Sequence, residues 1–121
     1  MKTYRYVLDG IPSSNNRYIG RKNIFGYQAE KKEWAEKMFF YCSPKPERPL
    51  KKAGVKITYC FPDKRRRDPD NYSGKMLLDG LRAARVIRDD SFFEIELSLK
   101  AEFGTKTALT IVEVEDREDE T

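Results

Sequence analysis

Residues 64–90 read KRRRDPDNYSGKMLLDGLRAARVIRDD. Four cations, Lys64, Arg65, Arg66 and Arg67, lead into two aspartates one residue apart, Asp68 and Asp70, and a second acidic pair, Asp89 and Asp90, closes the stretch. Cations of this kind suit phosphate, and each one that meets a phosphate makes binding salt-sensitive. Carboxylates of this kind suit a hard metal ion, Mg²⁺ or Mn²⁺ before zinc. If the acids converge they raise one another's pKa, and a divalent cation removes that penalty. A magnesium ion beside a phosphodiester activates water and stabilises the leaving oxygen. Lys75 is a candidate to neutralise charge on the phosphate in the transition state. The chemistry this pattern points to is metal-dependent phosphodiester hydrolysis.

Each residue type also has a plainer role. Aspartate caps helices and proline fits the first helical turn, so Asp68-Pro69 reads as a helix start with Asp70 in the favourable field of its first turn. Capping uses one aspartate, however, and leaves the other acids over. Lys75 is equally a solvated helix lysine, and a charge run is ordinarily a solvated face. What sets this run apart is that both signs of charge meet at one point.

The rest of the composition narrows the chemistry. The chain has 121 residues, 39% hydrophobic and 36% charged, which suits one soluble domain with a real core. It has no histidine, so histidine-based catalytic triads and histidine-ligated zinc are excluded. Cys42 and Cys60 form no CxxC pair and are expected to be reduced and buried. The formal net charge is +4, yet residues 115–121, EDREDET, carry −4, so residues 1–114 carry +8. A basic body with an acidic tail points toward a polyanionic partner. MKTYRYVLDG lacks the apolar core of a signal peptide. No apolar run approaches the roughly 20 residues of a membrane span, so the expected location is cytoplasmic, away from membranes.

The elements that must position the acids follow from periodicity. Residues 3–9 alternate as a strand, with Tyr4, Tyr6 and Leu8 on the better-buried face. A turn-rich basic loop with Arg17, Arg21 and Lys22 follows. Residues 27–42 predict a helix whose inner stripe is Trp34, Met38, Tyr41 and Cys42. A connector with three prolines leads to a strand over 55–61, with Val55, Ile57, Tyr59 and Phe61 on one face. The second helix is expected from about 69 to 85, about 25 Å long, burying Leu77, Leu81 and Ala84. Strands are expected over 92–102 and 106–114, paired as an antiparallel hairpin, with fraying after Val114. The expected fold is α+β, a single domain in the order β-α-β-α-β-β, with two helices packed on one mixed sheet.

The stretch Arg66-Arg67-Asp68-Pro69-Asp70-Asn71, then Lys75, Asp79-Gly80-Leu81 and Asp89-Asp90, resembles the RusA family of Holliday junction resolvases. The early residues Gly10-Ile11-Pro12-Ser13-Ser14-Asn15-Asn16-Arg17-Tyr18 resemble the family's N-terminal loop. The resemblance spans nearly the whole chain, with a nuclease domain over 1–114 and an acidic tail over 115–121. It implies a magnesium-dependent crossover junction endodeoxyribonuclease, a homodimer that nicks four-way junction DNA symmetrically. By motif, Asp68, Asp70 and Asp90 become the metal ligands and share catalysis with Lys75, and Asp89 is the alternative third ligand. Arg17, Lys64, Arg65, Arg66, Arg67 and Asn71 become DNA contacts. The family's lysine usually follows the second aspartate by four residues; here the interval is five. In a regular helix that turns the side chain by about 100°, unless a π-bulge or a looser first turn absorbs it. Two rival readings accompany this one. The first is a DNA-junction-binding module without nuclease activity. The second is a structural interaction domain whose acids are helix caps.

Overall fold

The computed structural model describes residues 2–14, 24–68 and 71–118. Its elements are β1 (Thr3–Asp9), α1 (Ile24–Tyr41), β2 (Ala53–Phe61), α2 (Lys75–Ala83), β3 (Ile95–Phe103) and β4 (Leu109–Asp116). They form a small single-domain α+β structure, a mixed four-stranded sheet with two helices. No helix among the described residues is long and apolar enough to cross a membrane.

The sheet order is β1-β4-β2-β3. β4 runs antiparallel to both β1 and β2, while β3 runs parallel to β2. The expected hairpin is therefore wrong: β3 and β4 follow one another in sequence but flank β2. The reason lies in burial. Val112, Val114 and Thr110 of β4 are wholly buried and need a neighbour on each side, whereas β3 keeps only Ile95 buried. β2 is covered on both faces along most of its length, as Thr58 and Cys60 are buried along with Val55, Ile57 and Tyr59.

The register places the sheet's inner rows. Tyr4, Val114, Val55 and Leu97 lie across the strands in one row; Tyr6, Val112, Ile57 and Leu99 form the next. Each row is fully buried until it reaches β3, where Leu97 and Leu99 become exposed at 38% and 36%. Tyr6 carries its hydroxyl into the core and donates to the Pro44 carbonyl oxygen at 2.7 Å, so the polar group is not orphaned.

α1 buries Trp34 and Met38, with Cys42 just beyond its end. These positions recur every four residues on one face. Tyr41, expected on that face, is 65% exposed. Both cysteines are free and buried, and burial pushes the Cys42 thiol up to about 12. α2 presses against α1 at Gly80. A Cβ there would collide with Met38 Sδ, so glycine sets the approach of the two helices.

The expected start of the second helix does not hold. α2 begins at Lys75, after Gly74 in the left-handed region at φ 82°. Asp68 lies outside α2; its carbonyl oxygen accepts the Asn71 N–H at 3.0 Å. Gly74 is required twice over, because a Cβ would also lie 2.7 Å from Ile57 Cδ1 on the sheet.

α2 ends in a Schellman arrangement. Val86 N–H reaches the Leu81 carbonyl at 2.9 Å and Arg85 N–H the Arg82 carbonyl at 3.1 Å. The residue that must turn left-handed is Arg85, at φ 65°, where glycine is usual. Arg85→Gly should therefore stabilise the fold by about 1 kcal/mol, the left-handed penalty of about 1–2 less glycine's entropic cost. Urea unfolding checks it, and an unchanged or lower midpoint would contradict the assigned strain. Beyond this cap Leu50 and Ile87 form a parallel bridge, which holds the chain as it approaches Asp89.

The tail is more ordered than expected at its start. β4 continues two residues past Val114, and Arg117 N–H bonds the Lys52 carbonyl at 3.0 Å. The Arg117 guanidinium lies over Gly54 and pairs with Glu96 and, at 3.1 Å, with Glu115. A side chain at Gly54 would occupy the guanidinium's place.

Candidate functional site

Strand β2 ends at Phe61 and hands the chain to the basic run. The four cations then take different roles. Lys64, Arg65 and Arg66 are exposed, the last two with side chains 81% and 90% accessible. Arg67 is folded inward. Its guanidinium carbon sits 4.1 Å from the Phe61 ring centroid, and the group bonds the Arg65 carbonyl oxygen at 3.0 Å and pairs with Asp63 at 3.0 Å. Hydrogen bonds from Arg67 and then from Arg65 hold the Asp63 carboxyl well below the usual carboxylate range. Arg67 thus braces the loop and stacks on an aromatic face, a use that fits arginine better than lysine.

Asp68 is half-exposed, and Arg66 Nε donates to its Oδ1 at 3.3 Å. It borders a cleft walled by Tyr59, Phe61, Tyr72, Leu99 and Ala101. Tyr72 holds the cleft's aromatic side together, with its ring centroid 5.3 Å from that of Phe61 and 5.6 Å from that of Tyr59. Burial pushes the Tyr59 phenol well above its ordinary range, so this hydroxyl is no base. Asn71 and Lys75 line a neighbouring cleft together with Pro12, Ser13, Tyr27 and Gly74. The N-terminal loop and the segment leading into α2 therefore meet, although more than 50 residues separate them in sequence.

Lys75 is the first residue of α2 and is exposed. The five-residue interval from Asp70 does not rotate it around a regular helix, because residues 71–74 are not part of α2. A looser approach to the helix, rather than a π-bulge, precedes the lysine. Asp70 and Arg17 lie outside the described residues.

The second acidic pair follows α2. Asp89 and Asp90 lie 3.8 and 3.9 Å from the Arg82 guanidinium, which also stands 3.9 Å from Asp79. Asp89 Oδ1 accepts the Asp90 N–H at 2.9 Å. Asp79 is turned toward α1: its Oδ2 has Lys31 Nζ at 3.5 Å and no hydrogen bond. One arginine thus stands within 4 Å of three acids, and its single charge offsets their repulsion only in part.

The donor chemistry suits a hard cation, but the described geometry does not complete a ligand set. Among the described residues no three acidic, cysteine or histidine side chains gather where one ion could touch them all. Asp68 precedes α2 and leans on Arg66, whereas Asp90 follows α2 and leans on Arg82.

Sequence reasoning missed the aromatic cleft and the left-handed turn before Lys75. Ser73-Gly74 is a turn signal that the Asp68-Pro69 capping pattern overshadowed. Nothing in the periodicity singled out Tyr72, which packs between loop and sheet. No protein-family model matches this chain, and no curated protein matches it.

Proposed function

We propose that the chain is a magnesium-dependent, structure-selective endodeoxyribonuclease of the RusA type, acting on four-way DNA junctions in recombination or repair. The observation that carries the reading is the exposed loop before α2. It offers Lys64, Arg65 and Arg66 to solvent directly beside the half-exposed carboxylate of Asp68. The meeting of the N-terminal loop with Asn71 and Lys75 supports it, since both segments belong to the resemblance.

In this reading Lys64, Arg65 and Arg66 hold the DNA backbone, joined by Arg17 and Asn71, and Arg67 keeps the loop in shape beneath them. Asp68, Asp70 and Asp90 would hold Mg²⁺, or Mn²⁺ in its place. The ion would supply a nucleophilic water and charge stabilisation. Lys75 would steady the phosphate as negative charge develops. The protein would work in the cytoplasm as a homodimer, because two opposed strands require two sites.

A junction-binding module without nuclease activity is the second reading. The observation favouring it is that Asp89 and Asp90 both stand within ion-pair distance of the Arg82 guanidinium, a cation that competes with a metal ion for them. Cleavage of a synthetic four-way junction with Mg²⁺, beside a linear duplex of the same sequence, separates the two. Paired nicks confined to the junction are the expected result. Salt-sensitive junction binding with no nicks, in Mg²⁺ or Mn²⁺ and across several core sequences, would replace the nuclease with the binding module.

A further inference from the structure

Ala101 leaves a notch in the apolar face of β3. Side chains at every second strand position share a face, so Leu99, Ala101 and Phe103 follow one another there. Leu99 and Phe103 are 36% and 45% exposed, and Ala101 between them is exposed as well. Across the ladder Ala101 is paired with Tyr59, and Phe103 with Phe61, whose ring centroid lies 5.8 Å from that of Phe103. Tyr72, half-buried, packs on Tyr59 and Phe61 from the segment before α2. Together they bound an open cleft of about 340 Å³, with Arg67 and Asp68 at its border. That size falls at the lower end of small-ligand sites, about 300–1,000 Å³.

Two properties of the cleft narrow what it can take. Its walls are aromatic and aliphatic, which suits a planar ring, and stacking of this kind tolerates any base. Its border is the basic run, where the Arg65 and Arg66 side chains stand 81% and 90% accessible. A nucleotide carries both matching parts, a planar base and a phosphate. An apolar peptide side chain would leave the cations unused, and a free phosphate would leave the cleft unused. We infer that the cleft receives one unstacked nucleobase of the strand whose phosphates the loop before α2 holds. The inference rests on the DNA reading of that loop and names the form of DNA it takes. A base within a duplex is stacked on both faces and cannot enter. The nucleotide therefore comes from a branch point or a single strand, or is extruded at the cost of unstacking. A base seated against Tyr72 brings its neighbouring phosphate to the border of the cleft, where Arg66 Nε stands 3.3 Å from Asp68 Oδ1. Selectivity for branched DNA then has a source apart from charge, because a linear duplex offers the same phosphates but no free base.

Binding measured without a divalent ion separates the cleft from any cleavage. The full chain is titrated with a short labelled thymidine oligonucleotide and with an abasic sugar-phosphate chain of the same length. The strand with bases should bind about 5-fold to 150-fold more tightly, the worth of stacking one base. Tyr72→Leu keeps an apolar side chain but removes the ring, and Ala101→Ile fills the notch from an exposed strand position. Each should bring the two strands to nearly equal affinity. Each should also leave the affinity for the abasic chain unchanged, which shows that the variant is folded. Tyr72→Phe should keep the wild-type preference. Equal affinity of the wild type for the two strands overturns the inference and leaves the phosphate-binding loop standing. A preference that survives in both Tyr72→Leu and Ala101→Ile overturns it too, because the base is then seated elsewhere. Failure to bind either strand or a four-way junction at low salt removes the DNA reading, and the inference with it.

Discussion

Asp90→Asn is expected to lower junction cleavage on the order of a hundredfold to a thousandfold, the usual cost of removing one group that stabilises charge in a transition state. Junction affinity should hold or rise slightly, because the change removes a negative charge near a polyanion. The neighbouring Asp89→Asn is the control. Asp89 Oδ1 already accepts the Asp90 N–H at 2.9 Å, and an asparagine oxygen in the same place still accepts it. Asp89→Asn should therefore keep the turn and most of the activity. Single-turnover cleavage with a parallel binding titration distinguishes the two effects. Equal loss of binding and cutting in Asp90→Asn, or a larger loss in Asp89→Asn, would remove Asp90 from the role assigned to it.

The second large effect is expected at the helix crossing. Gly80→Val puts a branched side chain where the added Cβ collides with Met38 Sδ and lies 3.2 Å from its Cγ. Overpacking of this kind costs about 1–3 kcal/mol. Met38→Ala alone should cost about 2–5 kcal/mol, because Met38 is wholly buried and its removal leaves a cavity. The double variant should be less destabilised than the sum by about 1 kcal/mol or more, as valine enters the space that methionine leaves. Urea unfolding of all four proteins measures the coupling. Simple additivity would mean that the two residues do not limit one another. The result also bears on the Asp79-Gly80-Leu81 stretch. Gly80 has a packing role and Asp79 faces Lys31, so two of these three residues are explained by the way α2 meets α1.

Periodicity revealed β1 and β2 because their apolar faces are fully used; Tyr4, Tyr6 and Leu8 alternate with exposed residues without exception. It revealed the inner stripe of α1 at Trp34 and Met38 but overreached at Tyr41. It could not reveal strand order, since Leu97 and Leu99 alternate as cleanly as Val112 and Val114. Only the neighbours decide which pair is covered. The candidate site was legible as a list of residues, because cations and acids adjoin in sequence. Its geometry was not. Arg67 looks like its three neighbours in the sequence, yet Phe61 and Asp63 hold it inward while the others face solvent. The second helix was placed too early because a proline after an aspartate fits a helix start and a local turn alike. The sterics of Gly74 against Ile57 settle the matter, and they depend on a strand residue seventeen positions earlier in sequence.

The placement of β4 has a consequence for synthesis on the ribosome. β1 precedes the other strands, and among the described residues its neighbour in the sheet is β4, with Thr3 paired to Glu115. β2 likewise has β4 along one side. A nascent chain that stops short of Leu109 therefore displays Tyr4, Tyr6 and Leu8 with no strand to join them to the sheet. Assembly waits for contacts between the two ends of the chain, the kind that slows folding most. A chain cut within β4 loses the strand that joins β1 to β2, and with it far more than a tail.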